Sequence, residues 1–418
     1  MSVWRARGMP ALLTTTVAGF SGFAVLLPVA PLWAVRGGAD EAGSGLVNGV
    51  LLLFTVLTQL FVPGLLRRFG WGPVLATGLV LMGLPALAHL ASDALAPTLV
   101  LSAVRGVGFG VLTVTGSAAV AELVDPARRG AAVGAYGLAI AGPQVVLLPL
   151  GPWVAEHVSY AVVFALGALP LLGTVPALAL GRVLATRADT DAEGVAHARS
   201  ATDPAAGSSA GEAAAAGPTT GGLGRSGRSS TRATTIVLLR PMTLLLGVTI
   251  AGGAVLTFTP QMLPGELAVA LALALMGATA AVSRWRMGAI ADRLGAERFL
   301  WPLVLVTVAS MVLLALAVDR GSTPLFLVSA ALLGIAYGGL QNLTLVVAFA
   351  AVDRTRYGLA SAVWNVGFDL GTGLGSVLVG ALAVRLDFPG ALLVTAALAL
   401  VTLPLAVRRP RSGAPRRS

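Results

Sequence analysis

Residues 288–299 read GAIADRLGAERF, placing Asp292, Arg293, Glu297 and Arg298 together in a chain of 418 residues of which 11% are charged. Long apolar runs flank the stretch on both sides. Residues 63–74, PGLLRRFGWGPV, repeat its outline: Arg68 and Gly70 stand where Arg293 and Gly295 stand, and Arg67 takes the place of Asp292. A charged turn that recurs between apolar runs, once intact and once altered, ties the fold to the nature of those runs.

Hydrophobic residues make up 56% of the chain, above the roughly 45–50% of soluble domains. Runs long enough to cross a hydrocarbon core of about 30 Å as helices fall at roughly 10–34, 43–64, 73–92, 96–121, 130–154, 158–181, 241–263, 267–286, 300–318, 323–350, 358–384 and 390–407. They are continuous and rich in Leu, Ala and Val, without the ten-residue alternation of barrel strands. The sequence therefore predicts an all-α integral membrane protein with 12 transmembrane helices.

The chain has no cysteine, so disulfides and thiolate metal sites are excluded, and its 28 basic residues are all arginine. A formal charge of +10 raises the question of nucleic acid, but the arginines sort by loop. Arg5, Arg7, Arg67, Arg68, Arg128, Arg129, Arg284, Arg286, Arg293, Arg298, Arg354 and Arg356 fall on one side of the predicted topology, with those of the central loop and the C-terminal tail. Arg36, Arg320 and Arg385 fall on the other. By the positive-inside rule both termini are cytoplasmic, and the charge reads as topology and contact with anionic lipid, with no nucleic-acid partner. The first run follows Arg5 and Arg7 as a signal peptide would, yet at about 25 residues it exceeds a typical h-region and reads as a retained first helix.

Residues 182–235 are small, polar and rich in Gly, Ala, Ser and Thr, the composition of a flexible linker. GSSAG (207–211) and GLGRSG (222–227) within it match nucleophile-elbow and dinucleotide patterns by chance, because neither sits between a strand and a helix. Six spans lie on either side. RGVGFG (105–110) aligns with LGIAYG (333–338), LVDPARRG (123–130) with AVDRTRYG (351–358), and Tyr136 with Trp364. The expected organisation is an N-terminal bundle over 1–181, the linker over 182–235, a C-terminal bundle over 236–410 and a basic tail over 411–418. Parallel repeats of six spans are an arrangement of transporters that rock about a midplane site.

GAIADRLGAER resembles the signature between the second and third helices of each half in the major facilitator superfamily, G-x-x-x-D-R-x-G-x-R-[RK], matched at Gly288, Asp292, Arg293, Gly295 and Arg298. With the spans and the central linker, the resemblance covers the whole chain. It implies two six-helix bundles around a central cavity, with this turn tying neighbouring helices on the cytoplasmic face when the transporter opens outward. Charges at helix ends can engage backbone termini and partner charges in one conformation and release them in the other. The first-half copy keeps Arg68 and Gly70 and loses the acid. Either the latch there has weakened or moved to Glu122 and Asp125, facing Arg67, Arg68 or Arg129, or Arg67 and Arg68 are only topological anchors.

Ionisable groups deep in a span need a reason. Arg105 lies about ten residues into the fourth span and Asp369 about eleven into the eleventh, in WNVGFDLGTGLG. The resemblance implies a coupling role for Arg105, since proton-driven exporters carry an arginine there. Asp369 is a candidate for gaining and losing a proton in a transport cycle, against the alternative of a pairing with Arg105 or with backbone that only pins the bundle. Gln144, Gln341, Asn342 and Asn365 lie at similar depth, and Tyr136 and Trp364 are candidates to flank a cavity. His89 is expected at the outer interface. AGPQVVLLPLGP (141–152) partly resembles an exporter motif of the fifth helix. The sparse intramembrane charge suits a small uncharged or amphipathic substrate.

The expectation is a monomeric, cofactor-free secondary transporter in the cell membrane, exporting such a compound against protons, with import by proton symport as the alternative. Enzyme readings fail on their constellations: there is no H-E-x-x-H, no acid pair within one span, and no lysine to complete a phosphate-binding loop. A non-transporting receptor of the same fold is the remaining other class.

Overall fold

The computed structural model describes residues 7–124, 129–201, 223–353 and 356–407. The first half contains α1 (Met9–Arg36), α2 (Glu41–Phe69), α3 (Trp71–Ala88), α4 (Leu95–Leu123), α5 (Arg129–His157), α6 (Tyr160–Gly167) and α7 (Thr174–Ala201). The second contains α8 (Leu223–Met262), α9 (Glu266–Leu294), α10 (Glu297–Asp319), α11 (Thr323–Ala350), α12 (Tyr357–Val401) and α13 (Leu403–Val407). Local chemistry sets the ends. Asp40 accepts the Gly43 N–H at 2.8 Å to start α2, and Ser159 accepts the Val162 N–H to start α6, each satisfying an orphan donor of a first turn. Gly70 at φ 77 and Gly295 at φ 83 close α2 and α9. Both hold backbone that a side chain would resist, so the two charged turns share a conformation as well as a sequence outline.

Among the described residues, 11 helices are long and apolar enough to cross a membrane. The last runs over Leu359–Val407, 49 residues, or about 74 Å at 1.5 Å per residue, more than twice a hydrocarbon core. Its path breaks at Asp387 (φ 54, ψ 174), two residues before Pro389, whose ring and missing N–H oppose a continuous helix. The segments on either side of the break occupy the expected spans 358–384 and 390–407. A 3-10 turn over Leu169–Gly173, containing Pro170, similarly joins α6 to α7. Helical backbone also runs past both boundaries of the 182–235 segment, to Ala201 and from Leu223; in the first of these stretches the frequent alanines favour helix. Residues 202–222 lie outside the described part.

Large apolar side chains face outward around the bundle, among them Leu60, Leu172, Val175 and Leu267, as a lipid-facing belt requires. Inside the first half, Phe23 stacks on Phe109 at 3.9 Å with Phe20 edge-on to both. The halves meet where α2 packs on α12 and α5 on α9. Near the α1–α2 turn, the Arg36 end of the molecule, they are locked together. The α carbon of Gly45 faces the Ser376 carbonyl, and that of Gly380 faces the Glu41 carbonyl, an approach that small residues permit. Asn48 donates to Thr257 Oγ1 at 2.9 Å, Gln261 to Ser44 Oγ at 2.7 Å, and His157 lies 3.2 Å from Glu266.

Candidate functional site

Below these contacts a narrow cleft remains between the halves, lined by Gln144, Leu148, Leu273, Arg284, Tyr337 and Gln341 among others, with α5 and α9 still in contact where Val145 meets Gly277. Four polar residues reach one level around it. Gln59 from Glu41, Arg284 from Glu266, Gln341 from Thr323 and Asp369 from Asp387 are each 18 residues from their helix's Arg36 end, about 27 Å along the axis.

Asp369 is 4% exposed. Its Oδ2 accepts from Gln59 Nε2 at 2.7 Å, a bond between α12 and α2 that crosses from one half to the other. The same Gln59 nitrogen reaches Thr113 Oγ1 at 3.2 Å. Among the described residues, the Gln59–Asp369 bond is the cross-half hydrogen bond farthest from the Arg36 end. The Asp369–Arg105 pairing weighed from the sequence is not formed. Arg105, 2% exposed, donates from Nη2 to the Gly22 carbonyl of α1 at 3.3 Å, inside the first half, and its Nε and Nη1 have no partner. Arg105 thus engages its own bundle and Asp369 the opposite one, a choice of partners that helix periodicity within one chain segment could not show.

Gln341 accepts from Arg284 Nη1 at 3.1 Å. The Arg284 guanidinium lies 5.9 Å from the centre of the Trp364 ring, while Trp364 donates to Thr344 Oγ1 at 3.1 Å and stacks on Phe368 at 5.7 Å. Tyr337 lines the same cleft, with its ring 6.1 Å from that of Phe368. Gln144 faces this group from α5. Tyr136 and Trp364 are both buried, Tyr136 with its hydroxyl against Gly116 of α4, so each packs within its own half. Asn365 bonds back to the Ser361 carbonyl at 3.0 Å. Asn342 sits against Gly288 with its Oδ1 unpartnered.

The charged turn of the second half is tied by Glu297. Arg240 of α8 grips both carboxylate oxygens, with Nη1 2.8 Å from Oε1, and its Nε donates to the Leu405 carbonyl at 2.9 Å. The tie therefore joins α8, α10 and the end of the chain's last described helix within one half. Arg293 and Arg298 are exposed, and the Asp292 side chain lies outside the description. In the first half, Arg68 lies over the Phe69 ring at 5.2 Å. The Glu122 side chain is exposed, and its carbonyl accepts from Arg187 at 3.0 Å. No ion pair joins Glu122 to Arg67 or Arg68 among the described residues. Asp125 and the Arg129 side chain lie outside them.

Three residues here escape a reading of the sequence. Gln59 shows as an amide within the apolar stretch VLTQLFV (56–62), a signal that polar residues inside spans carry in general. Charge alone assigns Arg284 to the cytoplasmic end. Arg240 gives no signal without its distant partner. His89, expected at the interface, is instead fully buried, its Nδ1 2.8 Å from the Pro85 carbonyl and its ring stacked on Phe164 at 5.2 Å. The short 3-10 turn His89–Ala91 folds it back under α6.

The arrangement matches known proteins at two levels. The family model of the Major Facilitator Superfamily matches residues 12–319 and 264–418. Among solved structures, a D-xylose–proton symporter superposes with a TM-score of 0.72 at 14% identity, covering 97% of this chain and 98% of that one. A bacterial homologue of the human lysosomal transporter Spinster, in an inward-facing and unoccupied conformation, gives 0.71 at 13% identity with 97% of both chains covered. A point mutant of the nucleoside transporter NupG gives 0.67 at 12%, covering 95% of this chain and 98% of that one. A search of curated protein sequences finds no match. At these identities the superpositions show the fold alone, and the sequence match supplies the membership: the chain belongs to the Major Facilitator Superfamily.

Proposed function

We propose that the chain is a proton-coupled secondary transporter of a small amphipathic organic compound, working by alternating access, with Asp369 as the coupling carboxylate. One observation carries this reading. Among the described residues Asp369 is the one buried acid, and its hydrogen-bond partner, Gln59, belongs to the opposite half. Protonating Asp369 replaces a charge-assisted bond with a neutral one, and so weakens a contact that must break for the halves to move. A proton and a conformational change are then linked at one bond.

The chain crosses the membrane twelve times, counting the two segments about Asp387 separately. With both termini cytoplasmic, as the arginine asymmetry suggests, the closure at the Arg36 end would correspond to an inward-open state, and we take the protein to act as a monomer in the cell membrane. Export is the leading direction. It is supported by the glycine–proline motif of α5, whose Gly151 packs against the Val25 carbonyl of α1. Import by symport is the second reading, favoured by Arg284, whose positive charge in the cleft attracts anions rather than the cations that compete with protons. Inside-out vesicles separate the two. An interior-acid gradient drives an exporter to accumulate substrate and drives a symporter to release it; a gradient without effect in either direction refutes proton coupling.

A further inference from the structure

We infer that the cleft takes an organic monoanion with an apolar body, its acidic group held by Arg284. The inference deepens the transport reading and rests on it for treating the cleft as the substrate path.

Arg284 is exposed within the cleft and lies four residues from the end of the candidate span Glu266–Gly288, with its side chain turned toward Gln341 and Trp364 of the same half. Its two partners hold it without neutralising it. Gln341 takes one N–H at 3.1 Å, and the Trp364 ring lies 5.9 Å from the guanidinium carbon. Among the described residues no carboxylate is within ion-pair distance of it. Asp369 is engaged by Gln59 of the opposite half. The guanidinium is therefore oriented, still charged, and free to use its remaining donors.

A planar guanidinium with unused N–H groups suits bidentate oxyanions such as carboxylate or sulfonate. The rest of the lining selects the body of the ligand. Leu148, Leu256, Leu273 and Met276 are apolar, and Gln144 adds one amide from the opposite half. The count of cations limits the charge to one, because Arg105 is buried against the Gly22 carbonyl and does not line this cleft. A dicarboxylate would bring a second charge with nothing to meet it.

The test uses a matched pair of probes, 2-naphthoate and 2-naphthamide, which share shape and differ in charge. Purified full-length protein should bind naphthoate about ten- to hundredfold more tightly than naphthamide. Arg284→Gln should bring that ratio close to one while naphthamide affinity stays as in wild type, which also shows that the variant is folded. Arg284→Lys, which keeps the charge but not the fork, should retain part of the preference. Equal binding of the two probes by wild type, a preference that survives Arg284→Gln, or no binding of naphthoate at millimolar concentration overturns the inference. Efflux from proteoliposomes separates the two layers of the argument. Arg284-dependent naphthoate binding without translocation sinks the transport reading alone, whereas equal translocation of both probes sinks this inference alone.

Discussion

Replacing Gln59 by leucine tests whether the cross-half hydrogen bond to Asp369 sets the balance between conformations. The change keeps apolar bulk in α2 but removes the donor 2.7 Å from Asp369 Oδ2. Hydrogen bonds to charged groups contribute about 1.5–3 kcal/mol. When the halves part at this level, Asp369 gains access to water, so the loss falls on the closed arrangement and leaves the other nearly untouched. At about 1.4 kcal/mol per tenfold, the equilibrium should move roughly ten- to hundredfold toward the state open at the Arg36 end. The chain has no cysteine, so spin labels on introduced cysteines read this without background. Leu90 in the first half and Leu386 in the second are both exposed near the Arg36 end, and a pair placed there should show a new, longer distance population in Gln59→Leu. Distance distributions that match wild type would refute the reasoning, because the bond would then be formed equally in both states or in neither.

Asp369→Asn should keep substrate exchange and lose gradient-driven accumulation, and full accumulation by stable protein would remove the coupling role. Because Asp369 and Arg105 are not paired, Arg105→Gln should shift thermal stability by the same amount in that variant as in wild type, and a larger gain in the double variant would show a coupling. Asp292→Asn should impair transport more than Arg67→Ala at matched expression, since only the second turn keeps the whole signature; equal losses would erase the asymmetry. Arg240→Ala should lower the Tm, read by tryptophan fluorescence, with a cost of about 1–2 kcal/mol for a partly exposed bidentate pair, and an unchanged Tm would show the tie to be incidental.

The spans were legible because apolar length is a property of contiguous sequence, and the likeness of the two charged turns was legible in an outline that ends each time in a positive-φ glycine, Gly70 or Gly295. The break at Asp387 followed from the same logic, since about 45 apolar residues cannot form a single crossing and Pro389 marks where they divide. Asp369 was legible as a cost, a charge in a span. Its partner was not, since Gln59 comes from the other half, 310 positions away, and side-chain pairing between bundles leaves no periodicity to read. The contacts of Arg284 went unread for a related reason. Counting arginines by loop treats every one near a span end as an anchor, whereas its side chain turns into the cleft toward Trp364 and Gln341. His89 looked interfacial by position because the 3-10 turn that carries it inward has no strong sequence signal.

Arg105 poses the question of what a buried ion costs when it is not paired. Its Nε and Nη1 have no partner, and neither do His89 Nε2 and Ser102 Oγ. α3 and α4 run antiparallel with Gly78 against Val111 and Met82 against Gly108, a register that carries His89 to the level of Ser102, one turn from Arg105. The His89 Nδ1 contact to the Pro85 carbonyl places the ring proton on Nδ1, so Nε2 offers a lone pair. The group thus combines a cation, an acceptor and a hydroxyl in the first half, with no acid among its described neighbours. Orphaned buried donors cost about 1–3 kcal/mol each, and apolar replacements of buried ions are often stabilising. Arg105→Met should therefore raise the Tm, by an amount corresponding to about 2 kcal/mol, while transport is lost, the pattern of a residue retained for function at the expense of stability. A lower Tm in Arg105→Met would refute this, because the guanidinium would then be holding α4 to α1 through the Gly22 carbonyl, and its place in the bundle would be structural.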